Sequence, residues 1–212
     1  MFDRIAARYD RVNRVMSLGL DRRWRRHTVR ALALPTGSVV LDVACGTGDL
    51  CDELVMAGHR PVGLDLSAGM LEAAHTVVPL VRGDALQLPA PDASVDGVVS
   101  GFALRNVVDV AAYFRECARV VRPGGRTAAL ETAEPVNPLL RVGHRVWFRT
   151  LVPLVAGRLS GDRAAYRYLP RSASYLPPTD GLLGCMRAAG FEAVRRQTFT
   201  GGAVQLITGT RR

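Results

Sequence analysis

Val39-Val40-Leu41-Asp42-Val43-Ala44-Cys45-Gly46-Thr47-Gly48-Asp49 is a short apolar run that ends in a carboxylate and a tight glycine turn. A second run, Pro61-Val62-Gly63-Leu64-Asp65, ends in another carboxylate 17 residues after Gly48. A buried parallel strand, a glycine loop opening a helix, and an acid closing the next strand together form an adenosine-binding half-site. The glycines let the backbone approach a ligand closely, and the second acid can accept both hydroxyls of a ribose. Asp42, Gly46, Gly48 and Asp65 are therefore candidate contacts to an adenosine ligand.

The loop chemistry selects among such ligands. A dinucleotide fingerprint places a third glycine three residues after the second, where the helix packs tightly on the strand. Here that position is Cys51. Asp42 and Asp49 also put carboxylates on both sides of the loop, which disfavours a pyrophosphate at the helix N-terminus. A cationic ligand suits the site better. S-adenosylmethionine, with its ammonium and sulfonium, is favoured over NAD, although glycine loops also close strand–helix turns that bind nothing.

Composition sets outer bounds. A chain of 212 residues, 48% of them hydrophobic, is long and apolar enough for one folded domain and not for a disordered segment. The net charge of +9 is carried by arginine alone, since no lysine occurs. Arginine suits phosphates, carboxylates and membrane surfaces. An arginine- and alanine-rich chain also follows from a GC-rich genome, so the charge by itself names no partner. Cys45, Cys51, Cys117 and Cys185 form no Cys-x-x-Cys pair, and reduced thiols in a cytoplasmic protein are expected. His27, His59, His75 and His144 are scattered, so no metal site is expected. Phe2-Asp3-Arg4 is polar with no apolar core behind it, so no secretory leader is expected. The greasiest region, 146–159, is interrupted by Arg149, Pro153 and Arg158; it cannot span a bilayer but can lie on one.

Along the chain, residues 3–33 read as helical with a break at Gly19. Strands are predicted at 39–43, 61–64, 77–81, 95–99 and 126–131, with helices between them, a cap at Ser67 and a turn at Pro123-Gly124-Gly125. This alternation specifies a doubly wound, mostly parallel α/β sheet. The rhythm changes at 135–180, where prolines and aromatics (Trp147, Phe148, Tyr166, Tyr168, Tyr175) suggest an inserted lid. A helix at 179–189 and strands at 191–199 and 203–208, joined through Gly201-Gly202, supply an antiparallel edge hairpin.

Several blocks, taken in order, resemble one family. Tyr9-Asp10-Arg11-Val12-Asn13, Met16-Ser17-Leu18-Gly19 and Arg22-Arg23-Trp24-Arg25-Arg26 look like the opening signature of the UbiE/MenG/COQ5 quinone C-methyltransferases. Phe102-Ala103-Leu104-Arg105-Asn106-Val107-Val108-Asp109 is similar to the second signature. Glu131 with Pro135, Tyr166-Arg167-Tyr168-Leu169-Pro170-Arg171-Ser172, Ala189-Gly190-Phe191 and Thr200-Gly201-Gly202 match later blocks. The resemblance implies a class I methyltransferase fold of seven strands in a single domain (1–212), with an N-terminal helical cap at 1–34 and a substrate lid at 135–180. It implies S-adenosyl-L-methionine as cofactor, held by Thr47 and Asp65 at the loop and by Asp84 and Ala85 beside the adenine. Gly101, where the family usually carries serine, is expected on the same wall.

The resemblance implies C-methylation of a prenylated quinol; the arginine- and alanine-heavy composition, like that of menaquinone-using actinobacteria, and the Asp21-Arg22-Arg23-Trp24 variant point to demethylmenaquinol giving menaquinol, in menaquinone biosynthesis. Methylating an aromatic carbon requires an electron-rich ring, and phenols titrate near pH 10, so the site must favour the phenolate. A guanidinium beside the oxygen does so. Arg105 is the candidate, with Asn106 orienting the same oxygen or a water, and with water or an acidic residue carrying the proton, because arginine is itself a poor base. Arg105 anchoring a loop to a carboxylate such as Asp109 is the alternative. Tyr9 is expected either to fold over the cofactor or to be a half-buried helix aromatic. The apolar residues from Leu139 to Val155, interleaved with Arg141, Arg145 and Arg149, suit an isoprenoid tail and peripheral contact with an anionic membrane, or a plain amphipathic core helix. A homodimer is left open. Nucleic acid is not an expected partner: no Pro-Cys dipeptide occurs, and Tyr175-Leu176-Pro177-Pro178-Thr179 does not fit an amino-group methylase motif. A specialised aromatic substrate and a non-catalytic binding subunit are the remaining alternatives.

Overall fold

The computed structural model describes residues 3, 6, 12–147, 150 and 176–212. Its strands are β1 (Val39–Val43), β2 (Arg60–Asp65), β3 (Leu80–Arg82), β4 (Val95–Gly101), β5 (Val121–Thr132), β6 (Phe191–Phe199) and β7 (Val204–Arg211). Among the described residues they form one seven-stranded sheet in the order β3-β2-β1-β4-β5-β7-β6. β1 to β5 pair in parallel, while β7 runs antiparallel to both β5 and β6. This is the doubly wound α/β sheet with an antiparallel edge hairpin expected from the sequence.

Helices cover both faces, which is why the central strands are apolar on both sides. Among the described residues they include α1 (Asp21–Leu32), α2 (Asp49–Met56), α3 (Ala68–Glu72), α4 (Val110–Val120), α5 (Pro138–Val146) and α6 (Thr179–Ala188). On one face α1 and α2 bury Trp24, Val29, Leu32, Leu50 and Leu54 against Val40, Val99, Leu130 and Leu206. On the other, α4 and α6 bury Tyr113, Phe114, Cys117, Leu182 and Met186 against Val43, Val98 and Ile207. β1 lies between β2 and β4, so chain crossovers leave it in opposite directions. A crevice opens at the carboxyl ends of strands at such a switch point.

Several local expectations need correction. The third strand begins at Leu80 and not at residue 77; Val77 is 96% exposed and pairs with nothing in the sheet. Pro123-Gly124-Gly125 is not a turn between elements but an irregularity inside one long strand, where the β4–β5 register shifts between Val95 and Gly97. Gly124 has φ +78°, and a side chain at Gly125 would meet the Asp96 carbonyl at 2.6 Å, so the bulge requires both glycines. The N-terminal helical region does break at Gly19, with φ +74° there and +53° at Leu18.

Candidate active site

The glycine loop connects β1 to α2. Gly48 is the N-terminal cap of α2 with φ +99°, and a Cβ there would lie 2.5 Å from the Thr76 side chain, so only glycine fits. Asp65, at the end of β2, accepts from the Gly46 N–H at 2.8 Å and from the Ser67 N–H at 2.9 Å. Each carboxylate oxygen keeps lone-pair capacity for a hydroxyl. Asp84 closes β3 in a tight turn, accepting from the Leu86 N–H at 2.9 Å. Gly46, Asp65, Asp84, Ala85 and Gly101 line one cavity of about 650 Å³, together with Leu64, Met70, Phe102 and Asn106. A Cβ on Gly101 would meet only Leu50, at 3.8 Å, so this wall has room for a side chain as small as serine.

Other members of the expected set stand behind the cavity. Thr47 is buried in the loop and is not among the residues lining the cavity. Asp42 lies beneath it, 1% exposed, accepting from the Cys51 thiol at 3.3 Å. Burial, reinforced by the nearby Asp65 and Asp49 carboxylates, pushes Asp42 up to about 7. Asp49 is engaged by the Arg25 guanidinium at 2.9 Å. Sequence reasoning missed Asp3, which accepts from the Ser67 hydroxyl at 2.7 Å and the Gly69 N–H at 2.8 Å and lies on the rim beside Asp65. Those bonds hold Asp3 below the ordinary carboxylate value. No local signal joins residues so distant in sequence.

A second cavity of about 410 Å³ adjoins the first, and Phe102 lines both. Its walls are mainly apolar: Trp24, Leu139, Leu140, Trp147 and Val204, with Asn13, Arg105 and His144 among the polar groups. Phe102 has φ +59° and packs edge-on to Trp24, with ring centroids 6.2 Å apart. The 3₁₀ turn Leu104–Asn106 serves both cavities from adjacent residues. Arg105 faces the apolar cavity and Asn106 faces the other. Asn106 Oδ1 is buried without a hydrogen-bond partner, which fits a donor on a bound molecule.

Arg105 is paired, but not to Asp109. Its Nη1 donates to Glu131 Oε1 at 2.5 Å and its N–H to Glu131 Oε2 at 3.1 Å. Glu131 is fully buried and also accepts from the Thr132 N–H at 2.7 Å. Asp109 instead caps α4, accepting from the Ala112 N–H at 2.8 Å. The signal was present in the sequence, since Glu131 opens one of the motif blocks, but which carboxylate meets Arg105 depends on β4 and β5 pairing. Tyr9, Tyr166, Tyr168, Tyr175 and residues 151–155 lie outside the described residues. Among the described residues no His, Cys, Asp and Glu group is arranged to hold a metal ion.

Comparison with known proteins bears on this architecture. Residues 1–211 match the model of the ubiE/COQ5 methyltransferase family. The chain is 47% identical to a demethylmenaquinone methyltransferase of Roseiflexus castenholzii, over 100% of this chain and 92% of that protein. It is 41% identical to the ubiquinone/menaquinone biosynthesis C-methyltransferase UbiE of Syntrophotalea carbinolica, with the same coverage of 100% and 92%. The fold is also that of a solved S-adenosylmethionine-dependent methyltransferase from Thermotoga maritima, with TM-score 0.67 at 22% identity over 100% of this chain and 98% of that one. The chain thus belongs to the ubiE/COQ5 methyltransferase family, an enzyme that uses S-adenosylmethionine as its methyl donor.

Proposed function

We propose that this enzyme methylates a ring carbon of demethylmenaquinol, giving menaquinol and S-adenosylhomocysteine. The observation that carries the reading is the meeting of two unlike cavities at Phe102: one carrying the carboxylates of Asp65 and Asp84, and a more strongly apolar one reached by Arg105. Relatives named for demethylmenaquinone support the naphthoquinol over other aromatics.

S-adenosylmethionine supplies an electrophilic methyl on a sulfonium. In this reading Asp65 holds the ribose hydroxyls, Asp84 and Ala85 flank the adenine, Asn106 binds a donor group on the cofactor, and the glycine loop of Gly46, Thr47 and Gly48 approaches the methionine end. Asp42 acts from beneath, fixing the loop. The ring enters the apolar cavity between Trp24 and Phe102. Holding the ring carbon near 3–3.5 Å from the methyl then contributes much of the rate. Arg105 stabilises the developing phenolate, and the Glu131 carboxylate keeps its guanidinium aimed while offsetting part of its charge.

The tail and the membrane follow from α5. Leu139 and Leu140 line the apolar cavity, while Val142 and Val146 on the same helix are 62% and 52% exposed beside Arg141 and Arg145. Among the described residues no helix is long and apolar enough to cross a membrane. A cytoplasmic enzyme resting on the anionic inner leaflet by α5 would let the isoprenoid tail pass between lipid and cavity.

The test is transfer of labelled methyl to reduced demethylmenaquinol, run beside a demethylated ubiquinol precursor. Turnover on the naphthoquinol alone is expected. Cofactor binding with turnover on neither would sink the substrate assignment.

A further inference from the structure

The glycine loop carries two side chains that methyl transfer does not use. Cys45 follows β1 and Cys51 lies in the first turn of α2, so the pair brackets Gly46, Thr47 and Gly48. Both thiols are free and buried, Cys45 at 8% exposure and Cys51 at 0%. Their sulfurs meet over β2. A Cβ built on Gly63 would lie 2.9 Å from Cys45 Sγ and 3.2 Å from Cys51 Sγ, so one small space holds both because residue 63 has no side chain. The two thiols also hydrogen-bond each other. Cys51 stands where a dinucleotide fingerprint has its third glycine, so the second sulfur is an addition to the loop.

We propose that Cys45 and Cys51 are an oxidisable dithiol, a modification site for hydroperoxides, whose disulfide switches off binding of S-adenosylmethionine. Cys45 is the less deeply buried of the two and is the sulfur a small oxidant reaches first. Cys51 Sγ donates to Asp42 Oδ2 at 3.3 Å, so a proton acceptor stands beside the second sulfur. The hydrogen bond with Cys45, then burial, then the Asp42 carboxylate all push Cys51 up, so it stays a thiol until a partner forms. Asp42, pushed up to about 7 by burial, can accept that proton in neutral and alkaline solution.

The chemistry balances. Cys45, as thiolate, attacks hydrogen peroxide; a sulfur–oxygen bond forms, the oxygen–oxygen bond breaks, and hydroxide leaves with a sulfenic acid behind. Cys51 then attacks that sulfur. The sulfur–sulfur bond forms, the sulfur–oxygen bond breaks, and the Cys51 proton passes through Asp42 to the departing hydroxide. Two thiols and one hydrogen peroxide thus give one disulfide and two waters. The bond draws the sulfurs to ~2.05 Å and takes Cys51 away from Asp42. The ring it closes contains the Gly46 N–H, which donates to Asp65 at 2.8 Å, and the Gly48 cap of α2. Tightening that ring therefore displaces the loop and the carboxylate assigned to the ribose.

The experiment treats the protein with hydrogen peroxide, digests it without reductant for mass spectrometry, and reads S-adenosylmethionine affinity by calorimetry. Wild type should lose two hydrogens between Cys45 and Cys51. It should bind the cofactor ~10-fold or more weakly, the worth of one hydrogen bond to a charged group, and recover fully with dithiothreitol. Cys51→Ser should stop at a sulfenic acid on Cys45, trapped by dimedone, and Cys45→Ser should show one affinity before and after peroxide. Free thiols at both positions in treated wild type would overturn the proposal, and so would a disulfide that leaves affinity unchanged. Equal weakening of Cys45→Ser and wild type would place the damage at another residue and also overturn it. The wild-type readings decide the matter even where a variant fails to fold. None of them involves the quinol, so this proposal and the substrate assignment fail independently.

Discussion

At the scale of single residues, the buried pair of Arg105 and Glu131 ties stability to the chemistry proposed for Arg105. Both side chains are buried, and Glu131 also accepts two backbone N–H groups, from Arg105 and Thr132. Removing one partner of a buried pair leaves an uncompensated charge and costs about 3–5 kcal/mol. Glu131→Ala should therefore lower the unfolding free energy by about that much in a urea titration, and lower turnover because Arg105 loses its aim. Its effect on cofactor affinity should be small, since Arg105 faces the other cavity. Asp65→Ala should do the reverse. Two hydroxyl bonds to a charged acceptor are each worth about 1.5–3 kcal/mol, so calorimetry should show cofactor binding weakened by ~10²-fold or more. An unchanged dissociation constant would mean that the ribose lies elsewhere.

Among the elements, α5 makes the clearest separate prediction. None of its residues is buried, and its arginines are only partly occupied: Arg141 donates to the Pro135 carbonyl at 2.9 Å and Arg145 lies 3.9 Å from Glu134. Exposed Val142 and Val146 set beside positive charge suit the proposed contact with a lipid surface. Val142→Asp with Val146→Asp should reduce the affinity for vesicles containing anionic phospholipid, read by co-sedimentation, by ~30-fold, at roughly 1 kcal/mol per lost apolar contact. Raising the salt should weaken wild-type binding as well. Equal binding of both proteins would sink the membrane role. The element scale is also where the sequence was most and least legible. The glycine loop, Asp65 and the hairpin at Gly201-Gly202 announce themselves because turns and tight approaches leave only glycine. The bulge at Gly124-Gly125 reads as a turn because the same residues serve both, and only pairing with β4 separates them. Val77 looks like strand by type, yet the edge strand β3 keeps only Leu80–Arg82 in register with β2. Arg105's partner and the reach of Asp3 to Ser67 were illegible for one reason: both are contacts across the sheet's topology, which local pattern does not encode.

For the whole molecule, the buried carboxylate under the glycine loop couples the site to stability. Asp42 is raised to about 7 by burial, whereas an exposed aspartate in the unfolded chain titrates near 3.8. Between those values the folded state holds a proton that the unfolded state has lost. The contribution of Asp42 is therefore most favourable below pH ~4, declines as pH rises, and levels off above pH ~7. Asp21 and Glu116 act in the opposite sense. Glu116 is held low by the Arg119 guanidinium at 2.8 Å, and Asp21 by Ser17 and Arg25 against its burial, so their stabilisation is present above the unfolded carboxylate range and lost in acid. Stability should accordingly climb out of acid and then sag toward neutral pH. Asp42→Asn removes the sag alone, because a neutral amide oxygen still accepts from the Cys51 thiol and has no proton to lose. A tenfold difference in proton affinity between the folded and unfolded states corresponds to about 1.36 kcal/mol, so the variant should gain on the order of 2–4 kcal/mol on the wild type between pH 5 and pH 8. Urea unfolding at those two pH values reads the difference directly. Parallel curves for the two proteins would mean that Asp42 is ionised throughout and that the loop is stabilised by charge after all.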